Sequence, residues 1–199
     1  MQSNTRDNLV KVSFNLFMQK SFKEVTIKEI VEKAGVSQGA FFHYFKNKEQ
    51  LFLEIVEISF AAVDSIYSNL NKKSLYQFYH DYIDSLLDSV FIASEYENDE
   101  NIVWNYISFI FEALKIFPHI GERIAKMHEI ELNAWTDVVF YARKQGEIKS
   151  NMSDELIANT FIFSSDGLGM RGIYNKYTIE EFKKTILVHW DSIYESIRS

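Results

Sequence analysis

The sequence predicts an all-α protein, and three properties of the chain lead to that fold class. Only one proline and seven glycines occur among 199 residues, so few positions interrupt a helix. Apolar residues recur with the helical period over long segments, whereas segments of alternating polarity are scarce. The 47% content of hydrophobic residues is ample for a core at this length. From these patterns we expect about nine helices.

The first predicted helix extends from about Thr5 to Lys20. Leu9, Leu16 and Phe17 recur at helical spacing and form one apolar face. This face is expected to pack on the next two helices, which predicts a small three-helix unit at the N terminus.

The second and third predicted helices have the signature of a helix-turn-helix. Thr26 is placed as an N-cap, and Glu29, three residues later, completes a capping box. Gly35 follows this helix where a left-handed C-cap residue is favoured. Ser37 is then in position to cap a second short helix at a steep angle to the first. An αα-hairpin without DNA-binding function is the alternative interpretation of this pattern.

The short helix after Ser37 predicts one buried face and one face suited to DNA. Phe41 and Phe45 fall on a common stripe and are expected in the core. The opposite side has small residues, hydrogen-bonding residues and groups that fit thymine methyls, namely Gly39, Ala40, Phe42, His43 and the flanking Lys46. Lys48, beside the N terminus of the next helix, is placed as a phosphate contact.

Capping residues and helix breakers divide the rest of the chain into six further predicted helices. They are expected from Asn47 to about Leu70, Ser74 to about Ser94, Ile102 to Phe117, Pro118 to about Gly146, Ser153 through Leu168, and Thr178 through Ile197. Ser74 with Gln77, and Thr178 with Glu181, are expected to form capping boxes, and Pro118 is expected at the first position of its helix. The acidic segment at 95–101 is expected as a solvated loop, because it lacks the spacing of an EF-hand calcium site.

The string from Thr26 to Leu51 closely resembles the DNA-binding domain of the TetR (tetracycline-repressor-like) family of bacterial transcription regulators. The residues that carry the resemblance are Ala34, Gly35, Val36, Ser37, Gly39, Phe45, Lys48, Glu49 and Leu51, and it extends back over Leu9 to Phe22. Ser21 stands where family sequences usually have a glycine, and Phe42 replaces a common tyrosine, which removes one hydroxyl group available to phosphate. The resemblance implies a helix-turn-helix DNA-binding domain at 1–46 and a helical effector-binding and dimerisation domain at 47–199.

The resemblance also implies which residues contact a double-stranded DNA operator. Each protomer is expected to place the helix from Ser37 to Tyr44 in a major groove, with Gln38 and His43 at the base edges. Thr26, Tyr44, Lys46 and Lys48 resemble the phosphate-contacting positions of the family. The predicted DNA-binding set is Thr26, Ser37, Gln38, Gly39, Ala40, Phe42, His43, Tyr44, Lys46 and Lys48.

A small-molecule effector and a homodimer are further implications of the resemblance. Family members hold their effector between helices where this chain is rich in aromatic residues, although each of these residues also suits an ordinary bundle core. We expect an apolar or aromatic effector against Trp104, Tyr106, Phe109, Phe111, Trp135 and Phe163. The last two helices are expected to form the dimer interface through Gly167, Gly169, Leu187, Trp190 and Ile193. The function implied is a ligand-responsive, homodimeric repressor.

The formal net charge of −7 is distributed unevenly along the chain. Residues 1–50 contain eight Lys or Arg against five Asp or Glu, a net charge of +3, which leaves −10 for the remainder. Only the first quarter therefore suits a phosphate backbone. The N terminus lacks the features of a signal peptide, and no segment reaches the roughly 18 apolar residues of a membrane span. We expect a cytoplasmic protein without a membrane partner.

The sequence contains no motif typical of an enzyme. The chain has no cysteine, which excludes disulfides, thiolate catalysis and cysteine-ligated zinc. Nucleophile-elbow, P-loop and dinucleotide motifs do not occur. His128 with Glu131 is the nearest to a metal pair, and a solvated helix face is the favoured explanation. We expect no catalytic residue, cofactor or metal; a small-molecule enzyme and a helical interaction protein without operator binding are the alternatives.

Overall fold

The computed structural model describes residues 5–91 and 102–199, with side chains described at 5–87 and 104–199. As predicted, these ranges form nine α-helices: α1 (Thr5–Gln19), α2 (Ile27–Ala34), α3 (Gln38–Tyr44), α4 (Lys48–Asn69), α5 (Leu75–Phe91), α6 (Ile102–Ile116), α7 (Ile120–Lys144), α8 (Asp154–Asn175) and α9 (Ile179–Ile197). The predicted acidic loop at 95–101 and the predicted helix end near Ser94 lie outside the described residues. No helix in the described ranges combines the length and apolarity that crossing a membrane requires.

Most helix starts coincide with the predicted caps. Asn47, Ser153 and Thr178 each accept a hydrogen bond from a backbone N–H of the first turn, and Thr178 with Glu181 forms the complete capping box. At Ser74 only half of the predicted capping box forms, because Ser74 accepts from Gln77 N at 3.3 Å while the Gln77 amide donates to Asp81. Two further predictions were wrong. The Glu29 carboxylate pairs with Lys20 at 2.7 Å, so only the Thr26 half of that box forms. Helix α7 begins at Ile120, two residues after Pro118, with His119 at its N-cap.

Helices α1, α2 and α3 pack around a small apolar centre, as their apolar faces predicted. Leu9, Ile30 and Phe41 are fully buried there. This centre continues into the rest of the molecule because Phe52 of α4 contacts the Phe17 ring edge-on, with 4.7 Å between centroids. The three-helix unit (α1–α3) therefore rests on α4 through a shared core.

Helices α5, α7, α8 and α9 enclose a second, strongly aromatic part of the core. Trp135 of α7 stacks on Phe161 of α8, with 5.3 Å between centroids, and Trp190 of α9 meets Trp135 edge-on at 5.3 Å. The Trp190 indole N–H donates to the Phe161 carbonyl at 3.1 Å. Phe78 of α5 also meets Trp135 edge-on at 5.0 Å. Edge and offset ring contacts stabilise a protein by more than the burial of the rings alone, so this cluster fixes the relative positions of the four helices.

Candidate nucleic-acid interface

The turn between α2 and α3 is built by local hydrogen bonds and one left-handed residue. Thr26 accepts a hydrogen bond from Glu29 N at 3.1 Å, which starts α2. Gly35 ends it with φ 65°, a conformation that costs glycine little because it lacks a Cβ atom. Ser37 then accepts from Ala40 N at 3.1 Å and starts α3. The helix-turn-helix is therefore present as the sequence predicted.

Helix α3 buries one side and exposes the other. Phe41 is fully buried and Phe45 nearly so, whereas Phe42 keeps 51% of its surface exposed. The remaining predicted base-facing positions, Gln38, Gly39 and His43, are exposed as well, and Ala40 and Tyr44 are half-buried. A Cβ atom placed at Gly39 would meet only Ser37 Oγ, at 3.7 Å. The fold of the protomer therefore has no need of a glycine at this exposed position.

Comparison with known proteins supports the relationship that the motif indicates. A family model described as bacterial regulatory proteins, tetR family, matches residues 9–55. The transcriptional regulator BetI of Vibrio parahaemolyticus is 24% identical over 188 residues, which cover 92% of this chain and 88% of that protein. The structure of the SmeT–triclosan complex superimposes with a TM-score of 0.67 at 17% identity, covering 98% of this chain and 92% of SmeT. The N-terminal part of the chain, residues 9–55, therefore belongs to the TetR family, and the whole chain shares the fold of SmeT.

Relatives of higher identity match over a shorter stretch of the chain. The regulator AcrR of Shigella flexneri is 40% identical over 62 residues, which are 31% of this chain and 29% of AcrR. The chain spans less than half the length of the curated relatives that it matches at 33% to 42% identity. The family model is likewise confined to residues 9–55, where the helix-turn-helix lies.

The cations predicted to contact phosphate are in two different environments. Lys46 is exposed two residues after the end of α3, as a phosphate contact requires. Lys48 departs from the prediction, because its ammonium donates to the carbonyl oxygens of Phe22 and Val25 and lies 4.2 Å from the centroid of the Phe22 ring. Burial lowers the pKa of Lys48, while the Glu49 carboxylate opposes that shift. Lys48 is thus a structural cation that joins α4 to the preceding turn.

In the part of the chain that the structure describes, the aromatic residues predicted around an effector lie at separate places. Trp104, Phe109 and Phe111 border a groove of about 550 Å³ between α1 and α6, whereas Trp135 is fully buried in the aromatic core. Phe163 lies on the surface of α8 with 65% of its area exposed. The spacing along α6 explains part of this result. Trp104 and Phe111 are seven residues apart and share the exposed face, while Tyr106 and Phe109 are turned toward the core.

A buried polar cluster in the second part of the core was missed by the sequence prediction. The hydroxyl groups of Tyr67 and Tyr82 both donate to Glu131 Oε1, at 2.8 and 3.2 Å. Burial raises the pKa of Glu131, and the two tyrosine hydrogen bonds partly counter it. Burial also raises the pKa of the nearby Asp166. Glu131 therefore does not lie on a solvated face, and no group of metal-binding side chains occurs in the described residues.

The predicted dimer residues lie partly on the surface and partly inside the protomer. Gly167, Gly169, Leu187 and Ile193 are exposed or half-buried on α8 and α9, and a Cβ atom at either glycine would meet nothing within 4 Å. Trp190 was assigned wrongly, because it is fully buried against Phe161 and Trp135. An aromatic side chain suits a core as well as an interface, so its residue type alone did not distinguish the two.

Proposed function

We propose that this TetR-family chain is a homodimeric transcription regulator that binds a double-stranded DNA operator and is released from it by a small-molecule effector. Residues 1–46 read the operator, and residues 47–199 bind the effector and form the dimer. The exposed face of α3 is the observation that carries this assignment. It presents Gln38, Gly39 and His43 to solvent, on a helix anchored by Phe41 and Phe45.

Operator binding requires two copies of so short a recognition helix. Helix α3 has seven residues and reaches the edges of only a few base pairs. A two-fold dimer places two such helices on adjacent half-sites, so the dimer recognises a longer sequence than a single helix does. We assign operator contacts to the ten predicted residues except Lys48, whose ammonium donates to backbone carbonyl oxygens instead.

Effector binding is proposed for the helices that follow α3. A protein of the same fold, SmeT, has been solved as a complex with triclosan. In this chain α4, α5 and α7 bring aromatic rings and the Tyr67, Tyr82 and Glu131 cluster together in the interior. Aromatic side chains with a few polar groups among them are typical of small-molecule sites. The effector would act by binding one dimer state more tightly than the other, and no chemical conversion is involved.

Substitution of Gly39 by alanine tests operator binding without disturbing the fold. An added methyl group meets no close neighbour in the protomer, and alanine favours a helix over glycine by about 0.5 to 1 kcal/mol, so the variant should be at least as stable. The same methyl group occupies space where DNA must approach closely. We therefore expect binding to a duplex selected by the wild type from random sequences to weaken by about tenfold or more.

The matched control is Gly121→Ala on α7, where a Cβ atom makes only an ordinary contact of 3.8 Å with Leu114. This variant should bind the selected duplex as the wild type does. Equal binding by Gly39→Ala and the wild type would remove α3 from the DNA interface. Failure of the wild type to enrich any duplex would favour a helical interaction protein instead.

A further inference from the structure

The turn between α1 and α2 is held on both sides by residues that are distant in sequence. The backbone N–H of Phe22 donates to Glu112 Oε2 of α6 at 2.7 Å. The carbonyl oxygens of Phe22 and Val25 both accept from the ammonium of Lys48, the first residue of α4. One peptide segment of the three-helix unit is therefore fixed by two helices of the remaining chain.

The Phe22 side chain adds an apolar anchor to these hydrogen bonds. Its ring is nearly buried, lies 5.0 Å from the Phe52 ring of α4 and stacks on Phe17 of α1 at 6.0 Å. The ammonium of Lys48 covers the same ring. Backbone and side chain of this residue are thus both fixed, and loss of Glu112 would leave a partly buried N–H group without its acceptor.

The position of this turn determines the orientation of α3 relative to the rest of the protomer. Val25 is buried immediately before Thr26, the N-cap of α2, and α2 carries α3 through the short turn at Gly35. A shift of the turn relative to α6 therefore moves α2 and α3 together. Rigid displacement of a small unit about a few fixed points is a common way of changing the separation of two binding surfaces.

We propose that Glu112 is a positioning residue that fixes the orientation of the three-helix unit and thereby the half-site spacing that the dimer accepts. This role rests on the operator binding proposed above. Glu112 itself touches no DNA; it acts through the Phe22 peptide. In a two-fold dimer the separation of the two recognition helices determines the number of base pairs between the half-sites. Loosening the turn should therefore broaden the accepted spacing without changing the bases read within each half-site.

Three full-length variants separate this role from general destabilisation. Glu112→Leu removes the acceptor, Glu112→Gln retains an oxygen that can accept from Phe22 N–H, and Glu129→Leu makes the same change at an exposed site on α7. In selections from random duplexes, Glu112→Leu should enrich additional spacings and bind the wild-type site about tenfold more weakly. Glu112→Gln and Glu129→Leu should retain the wild-type spacing. An unchanged spacing for Glu112→Leu would overturn the proposal.

A second readout does not depend on DNA. Because the chain has no cysteine, Lys28→Cys on α2 and Lys126→Cys on α7 provide unique sites for spin labels, both at exposed positions. The distance distribution between these labels, measured with labelled chains diluted in unlabelled protein, should be narrow in the wild-type background and broadened by Glu112→Leu. Equal distributions would contradict positioning by Glu112 even if no duplex were enriched. If Glu112→Leu does not fold, Lys48→Met releases the same turn from α4. This variant should broaden both the distribution of label distances and the range of half-site spacings that is selected.

Discussion

At the scale of single residues, Glu131 is a carboxyl group that the fold partly removes from water. Desolvation raises its pKa, the hydrogen bonds from Tyr67 and Tyr82 lower it, and the charge of Asp166 raises it further. The net shift is upward, so the folded protein holds the proton at pH values where the unfolded chain has released it. The contribution of Glu131 to the free energy of unfolding then falls as pH rises from the ordinary carboxyl range through the folded-state pKa.

Replacement of Glu131 by glutamine should remove part of this pH dependence. The amide keeps the shape of the side chain and can accept the two tyrosine hydrogen bonds, but it does not titrate. In urea unfolding, the free energy of unfolding of Glu131→Gln should therefore rise relative to that of the wild type between about pH 4.5 and about pH 7. Glu129→Gln, at an exposed position of the same helix, should reproduce the wild-type slope. Parallel slopes for the wild type and Glu131→Gln would contradict the upward shift.

At the scale of helices, the N terminus of α5 depends on a carboxylate from another part of the chain. Glu147, just after α7, accepts from Leu75 N and Tyr76 N at 3.1 and 3.0 Å, and from the Ser74 hydroxyl at 3.0 Å. The Tyr194 hydroxyl of α9 donates to the same carboxylate at 3.2 Å. A negative charge at a helix N terminus also interacts favourably with the helix dipole. Glu147 therefore joins the ends of three helices.

Glu147→Ala should lower the free energy of unfolding by about 1 to 3 kcal/mol, because two backbone N–H groups lose a charged acceptor. Glu147→Gln should lie between the alanine variant and the wild type, since one amide oxygen remains as an acceptor. Glu155→Ala, at an exposed position in the first turn of α8, provides a control with the same loss of charge near a helix N terminus. Chemical denaturation of the four proteins measures these differences. Equal stability of Glu147→Ala and Glu155→Ala would show that the cap contributes nothing specific.

The same helix ends show which features can be read from a sequence. Caps at Thr26, Ser37 and Thr178 involve partners within three residues, so spacing alone predicted them. The partners of Lys48 and Glu112 are 26 and 90 residues away, and no local pattern indicates such contacts. Lys48 was consequently predicted to contact phosphate, because it lies beside a helix N terminus. Periodicity likewise identified buried residues of α3, but it did not decide whether an apolar side chain of α8 or α9 faces the core or a partner.

At the scale of the whole molecule, α8 and α9 leave an apolar surface uncovered. Phe163, Met170 and Tyr174 are exposed and recur on one side of α8, with Gly167 between them. Val188 of α9 is exposed as well, and Phe163, Gly167 and Ile193 border a groove of about 480 Å³ between the two helices. Large apolar side chains clustered on a surface mark an interaction site. In the proposed dimer a second copy of this surface would cover it.

Phe163→Asp should convert the proposed dimer into monomers, because it would place a charge in the apolar centre of a self-complementary interface. In sedimentation velocity at micromolar concentration, we expect the wild type at the mass of two chains and the variant at the mass of one. Operator affinity should fall along with dimerisation, since a single α3 cannot span two half-sites. Ile58→Asp changes a similarly exposed residue on α4 and should leave the dimer intact. A dimeric Phe163→Asp would place the interface on another surface. The half-site spacing would then depend on the orientation set by Glu112 and on dimer contacts outside α8 and α9.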